Sequence, residues 1–233
     1  MIFERTKLLI GQKNLQKLKD SHVCIFGIGG VGGYIAEGLA RAGIGKLTLV
    51  DYDIVDVTNI NRQIIATSNT IGKNKVDVME NRLLSINKNL SITKYNSMLN
   101  SDNINIFFSN ITYTYVADAI DMISSKVDLI EYCIVNNINI ISSMGTGRKL
   151  EPWKLEISDI SKTYVCPLAK IIRKELKKRN IFHLNVVFST ESPRKNFSNN
   201  KEEEKTIGSI SFVPSVAGML MVSKIVNDII SFD

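Results

Sequence analysis

Two short runs, His22-Val23-Cys24-Ile25-Phe26 and Lys46-Leu47-Thr48-Leu49-Val50, are apolar at nearly every position rather than at alternate ones. That pattern predicts strands buried on both faces, as in a parallel sheet covered by helices. Between them lie Gly27-Ile28-Gly29-Gly30-Val31-Gly32 and an Ala- and Leu-rich stretch from Gly33 to Ala42 that reads as a helix. Strand, glycine turn, helix, strand is the right-handed parallel unit. Val76, Met79, Leu83 and Ile86 recur at helical spacing and predict a helix over Lys73 to Asn87. Thr114 to Asp121 reads as a further central strand, Lys126 to Asn136 as a helix, and Ile138 to Ser143 as a strand closing at Met144-Gly145-Thr146-Gly147. This alternation implies an α/β fold with a Rossmann-like, doubly wound, mostly parallel sheet.

The pattern divides the chain into a helical lead-in (1–20), a core (21–150) and a C-terminal part (151–233), within one continuous domain. The lead-in has Leu8, Leu9, Leu15 and Leu18 as its apolar positions. Past residue 150, Ile157 to Ile160 starts a less regular section. Pro167 to Asn180 is a strongly basic helix, and Val186 to Ser189 is a strand. Residues 194 to 205 are polar and read as a solvated loop. Val213 to Ile230 is an apolar helix expected in the core or at a subunit interface.

Composition adds limits. With 44% hydrophobic and 22% charged residues among 233, disorder and fibrous repeats are excluded. Three cysteines without a C-x-x-C pair argue against a disulfide framework or a zinc ribbon and fit a reducing, cytoplasmic setting. Cys24 reads as strand core, Cys133 as helix packing, and Cys166 as an exposed thiol. The first residues lack the profile of a secretory signal, and no uninterrupted apolar run reaches the roughly 18 residues of a membrane span. A soluble protein without a membrane partner is expected. The net charge of +6 tolerates a polyanionic partner without requiring one.

Gly27-x-Gly29-x-x-Gly32 directly follows a strand and opens a helix. There the glycines permit a tight turn, backbone approach to phosphate and close helix packing, with Gly30 in the same turn, and the helix N-terminus meets the phosphate charge. Asp51 follows about 20 residues later at a strand tip, where a carboxylate reaches ribose hydroxyls. This much would suit NAD equally well. The segment Asp51 to Gln63, which includes Asp53, Asn59 and Arg62, together with Lys75, favours a triphosphate. Two fixed cations, Arg62 and Lys75, offset the charge that develops as pyrophosphate leaves. Asp121 is placed to hold magnesium, which binds through few carboxylates plus phosphate oxygens. Asp118, three residues earlier, reads as structural.

G-I-G-G-V-G, L-V-D-Y-D, T-N-I-N-R-Q, Lys75 and A-I-D at 119–121 resemble the ubiquitin-activating-enzyme superfamily, which includes ThiF, MoeB and HesA and activates carboxylates with ATP. The resemblance implies that Asp51 binds ribose, that Asn59, Arg62 and Lys75 bind phosphates, and that Asp121 binds Mg2+. Asp53 and Gln63 belong to the same nucleotide segment. It also implies that Arg5 reaches the active site of a neighbouring subunit, hence a homodimer.

The segments 141–149, 159–163, 167–170, 187–193 and 212–218 resemble one branch of that superfamily, the tRNA threonylcarbamoyladenosine dehydratases (TcdA, also CsdL or YgdL). The implied activity is ATP-dependent cyclisation of the threonylcarbamoyl group on the adenosine 3′ of the anticodon. A partner from a cysteine-desulfurase system is compatible with it. The implied tRNA partner fits Lys170, Arg173, Lys174, Lys177 and Lys178, which share one face of the basic helix. Trp153 is either a stacking residue or core packing beside Pro152. Cys166 stands where the branch commonly has an aspartate, most simply a helix cap. Competing readings are an activator of a ubiquitin-like sulfur carrier, which predicts zinc or an acceptor thiol, an NAD-dependent oxidoreductase, and a non-catalytic dimeric scaffold.

Overall fold

A computed structural model describes residues 2–109, 111–197 and 206–230. The two apolar runs form β1 (His22–Phe26) and β2 (Lys46–Val50), joined by helix α2 (Gly32–Ala42). Helix α1 (Glu4–Asp20) precedes them. Then follow α3 (Lys75–Ile86), β3 (Ser91–Tyr95), α4 (Ile104–Phe108), β4 (Tyr115–Asp118), α5 (Ile123–Val135) and β5 (Ile140–Ser143). The chain continues with β6 (Leu155–Asp159), α6 (Pro167–Lys178), β7 (Asn185–Ser189) and α7 (Phe212–Ile230).

The strands form one seven-stranded sheet in the order β3-β2-β1-β4-β5-β7-β6. All neighbours are parallel except the edge pair β6 and β7. Period-two alternation sends Val23, Ile25, Leu47 and Leu49 into a core shared with α1, α2, α3 and α7. Cys24, Phe26 and Val116 face the opposite core, built with α4, α5 and α6. Both faces are covered, so the strands read as continuous apolar runs. Because β1 and β4 are neighbours whose chain connections leave in opposite directions, a crevice opens outside their carboxyl ends, where doubly wound folds bind ligands.

Several expectations needed correction. Gly11, at φ 81 and ψ 162, breaks α1 into two segments, so only Leu15 and Leu18 of the four leucines are buried. Leu8 and Leu9 point outward. The strand expected over 114–121 ends at Asp118, which leaves Asp121 in the turn beyond it. The irregular section after residue 150 contains the antiparallel edge strand β6. By length and composition, α7 is apolar enough to span a membrane, but Val213, Ala217, Met221 and Ile225 lie in the core it makes with α1 and α2. Part of the loop expected over 194–205 falls outside the described residues.

Among the described residues one ion pair lies wholly inside the protein. The Lys126 ammonium is 2.7 Å from Asp118 Oδ2, with both side chains fully buried. Ser142 Oγ donates to the same oxygen at 2.6 Å, and Lys126 donates to Ser142 Oγ at 3.1 Å. Asp118 Oδ1 accepts the Ile120 N–H at 3.0 Å. Asp118 is structural, and it shapes the turn that carries Asp121.

Candidate functional site: a cleft at the ends of β1, β2, β4 and β5

The crevice is a cleft of about 700 Å³ lined by the glycine turn, Asp51, Asp53, Asn59, Arg62, Gln63, Lys75, Asp121 and the 143–149 segment. At its centre Gly27 has φ 86, and a Cβ there would lie 2.7 Å from the Ala119 carbonyl oxygen. A Cβ on Gly32 would run into the Gly27 carbonyl. Glycine is therefore required at both positions for the turns after β1 and β4 to meet. Gly29 and Gly30 border the open side, with Arg62 and Pro214 against Gly30. Helix α2 starts here without a side-chain cap; the Gly33 and Tyr34 N–H groups bond the Gly29 and Val31 carbonyls, and the positive end of the helix faces the cleft.

Asp51 is held from both sides. Its Oδ2 accepts the Ile28 N–H at 2.6 Å and its Oδ1 the Asp53 N–H at 2.8 Å. Burial pushes its carboxyl above the usual range, while the charge of Lys75 and these two N–H donors pull the other way. The Lys75 ammonium, buried at the start of α3, rests on Asp53 Oδ2 at 2.7 Å. An arriving phosphate would share that cation.

The turn carrying Asn59, Arg62 and Gln63 is built by Asp56, which accepts the Thr58 N–H at 2.8 Å and gives its own N–H to Asn59 Oδ1 at 3.1 Å. That leaves the Asn59 amide nitrogen as the group for a ligand. Arg62 Nη1 donates to the Thr58 carbonyl at 2.9 Å, and the remaining guanidinium donors stay available. Gln63 Oε1 is buried without a hydrogen-bond partner. A buried orphan acceptor next to an uncapped helix N-terminus fits a site that is completed by a polar ligand.

Asp121 is exposed at the cleft. Its charge, after that of Asp53 and the loss of water and ahead of Asp51, raises the neighbouring Tyr52 phenol. Three carboxylates at one mouth suit a triphosphate only if cations accompany it. Among the described residues no group of three His, Cys, Asp or Glu could hold a metal by itself. A single carboxylate that shares magnesium with phosphate oxygens is nevertheless its usual protein ligand set.

Arg5 is exposed on α1 and does not line this chain's own cleft. On α6, Lys170, Lys174, Lys177 and Lys178 are exposed, opposite buried Ala169, Ile172 and Leu176. Arg173 differs from them. Its Nη1 donates to the Thr163 carbonyl at 2.9 Å, to Thr163 Oγ1 at 2.5 Å and to the Ile160 carbonyl at 3.3 Å, so it anchors the preceding loop. Cys166 is buried, not exposed, because it packs among Val186, Phe188 and α6 residues. It does occupy the N-cap position of α6, without a side-chain cap bond. Cys24 and Cys133 are core thiols that burial pushes up in pKa. Trp153 is 75% exposed and takes no part in the core.

The far half of the cleft was not read from the sequence as a binding site. Gly145, Thr146, Arg148 and Lys149 after β5 line it together with Cys166, Pro167 and Leu168. Lys149 is only 3% exposed, and its ammonium donates to the Glu191 carbonyl at 2.5 Å. The Glu191 carboxylate accepts the Leu150 and Glu151 N–H groups at 3.0 and 2.8 Å. The glycine pair at 145 and 147 following a buried strand is the signal that could have found this wall.

Comparison with known proteins agrees with this geometry. The ThiF family model matches residues 3–232. The tRNA threonylcarbamoyladenosine dehydratase of Bacillus subtilis (strain 168) is 40% identical over 98% of this chain and 94% of that protein. The Escherichia coli (strain K12) protein of the same name is 40% identical over 82% of this chain and 74% of that protein. The crystal structure of E. coli TcdA in complex with ATP superposes with a TM-score of 0.90 at 35% identity, covering 98% of this chain and 93% of that one. Matched by the family model over all but its extreme ends, the chain belongs to the ThiF family.

Proposed function

We propose that this protein is an ATP-dependent tRNA threonylcarbamoyladenosine dehydratase of the cytoplasm. The observation that carries this reading is the convergence of Asp51, Asn59, Arg62, Lys75 and Asp121 with an uncapped glycine turn on one cleft. Likeness to enzymes of that name along nearly the whole chain supports the substrate.

A free carboxylate is a poor electrophile, so the threonyl carboxylate must first acquire a leaving group from ATP. Asp51 takes the ribose hydroxyls, while the α2 N-terminus and the Asn59 amide hold phosphate oxygens. Arg62 and Lys75 offset the negative charge that builds as the phosphate bond breaks. Asp121 would hold Mg2+, which would supply positive charge to offset the negative charge of the phosphates. The carbamoyl part of the same side chain then closes on the activated carbonyl carbon and gives up its N–H proton, while the carboxylate oxygen leaves with the phosphoryl or adenylyl group that ATP placed on it. Because both groups belong to one substituent, proximity removes up to ~7–11 kcal/mol of the barrier. No enzyme nucleophile is needed, in keeping with buried Cys24, Cys133 and Cys166.

The exposed lysines of α6 supply a phosphate-binding face for tRNA. Charge reversal at Lys174 and Lys178 together is expected to weaken tRNA binding about tenfold at low salt and to flatten its salt dependence, with ATP affinity unchanged. Filter binding at two salt concentrations measures this, and an unaltered salt slope removes α6 from the RNA face. We read the assembly as a homodimer. Ile2, Leu8 and Leu9 expose apolar surface on the N-terminal segment that carries Arg5, which supports delivery of that arginine to a second copy's cleft.

The reaction is tested by ATP consumption with tRNA that carries threonylcarbamoyladenosine against the same tRNA lacking it. Turnover only with the modified tRNA is expected. Equal consumption with both would overturn the assignment.

A further inference from the structure

The loop between β6 and α6 holds a backbone conformation that its sequence does not favour. Val165 has φ 63, in the left-handed region where a β-branched side chain is strained. The Cys166 N–H donates to the Tyr164 carbonyl two residues back at 2.6 Å, closing a γ-type turn of the rare kind. Strain of this sort persists only where the surroundings over-determine it, and it gathers at ligand clamps and active sites.

The surroundings do so here. Asp159 Oδ1 accepts the Ser161 N–H at 2.8 Å, and Thr163 Oγ1 donates to the Ile160 carbonyl at 2.7 Å. Arg173 clamps Thr163 from α6. Buried Cys166 fixes the other end. All this rigidity presents Tyr164, which is 56% exposed although its ring makes an edge-to-face contact with buried Phe188 at 5.7 Å. Cys166, Pro167 and Leu168, the next residues but one, line the far half of the cleft. Lys162 on the chain before the turn and Lys170 and Lys174 on α6 after it are exposed. Neither Tyr164 nor the more exposed Trp153 lines the cleft itself, but Tyr164 stands two residues before the lining segment Cys166-Pro167-Leu168, whereas Pro152 and Lys154 beside Trp153 do not line it.

We infer that Tyr164, held by the Val165 turn, is a stacking platform for an unpaired RNA base adjoining the modified adenosine, with the lysines receiving the flanking phosphates. An aromatic ring on a stiff loop amid cations is the means by which proteins hold splayed single-stranded bases. The inference rests on the tRNA reading above and names a positioning residue within it. Tyr164 lies outside the lining of the cleft assigned to ATP, so it is not a catalytic residue.

The test uses an anticodon stem-loop RNA that carries threonylcarbamoyladenosine with 2-aminopurine as its 3′ neighbour, alongside steady-state turnover of modified tRNA. Wild type is expected to quench the 2-aminopurine fluorescence on binding. Tyr164→Ala is expected to lose the quench and about tenfold in kcat/KM for tRNA, while ATP affinity is unchanged and Tyr164→Phe restores both. Tyr164→Leu keeps apolar cover over Phe188 without the ring, so it should behave as the alanine variant does even if alanine loosens the loop. Full quench and normal kcat/KM in the alanine or leucine variant would overturn the platform and leave the tRNA reading standing. If wild type itself neither binds nor turns over modified RNA, both fall.

Discussion

Arg62→Ala is expected to lower turnover by about 10²–10³-fold, the effect of removing one preorganised charge-stabilising donor from an acyl-transfer site. Folding should be unaffected, because among the described residues the Arg62 guanidinium hydrogen-bonds within its own turn, to the Thr58 carbonyl and Asn61 Oδ1. The loss should fall on kcat more than on KM, since the guanidinium is needed most where charge develops on departing phosphate. Asp121→Ala should act in the same direction, because its carboxylate is exposed and supports no packing. Its defect should be partly relieved by excess magnesium, which Arg62→Ala should not share. Steady-state kinetics with thermal unfolding on the same preparations check both variants. Normal kcat in Arg62→Ala would place the phosphates elsewhere.

Lys126→Met should cost about 3–5 kcal/mol of stability, the expected penalty for stranding a buried charge. With native stabilities of roughly 5–15 kcal/mol, that is a large fraction of the whole. The variant leaves Asp118 fully buried with only Ser142 and the Ile120 N–H as partners. Adding Asp118→Asn removes the stranded charge while keeping an acceptor for Ile120, so the double variant should recover at least half of the loss. Denaturant titration measures it. A single-variant cost below about 1 kcal/mol would mean that the pair is not held as described. Because Asp118 sets the turn before Asp121, the single variant should also lose turnover before it unfolds.

The central strands and the nucleotide half of the cleft were legible because local signals and tertiary structure agree there. β1 and β2 are buried on both faces and run as continuous apolar stretches, and the glycine turn between β1 and α2 has few alternative uses. The elements missed lie at the margin. β3, Ser91-Ile-Thr-Lys-Tyr, is an edge strand with no fully buried residue, so its composition carries little hydrophobic signal. α4 is only five residues long, too short for a helical period to show. β6 pairs on one side only and keeps Glu156 and Ile157 exposed.

The far half of the cleft was the least legible because it is assembled across distance. Lys149 reaches the Glu191 carbonyl, and Arg173 reaches back to Ile160 and Thr163. No spacing rule on one helix separates Arg173, which is consumed in such a contact, from Lys170 and Lys174, which remain exposed. Cys166 read as an exposed thiol because it stands between an irregular section and a basic helix, but α6 folds it into the second core.

The chemistry performed on tRNA decides the functional assignment. It is tested most directly by incubating the protein with ATP, magnesium and tRNA bearing threonylcarbamoyladenosine, followed by nucleoside mass spectrometry. Loss of one water from that nucleoside, dependent on ATP and abolished by Arg62→Ala, is the expected result. An unchanged nucleoside mass from protein that binds ATP would contradict it and would point to a protein carboxylate as the group activated.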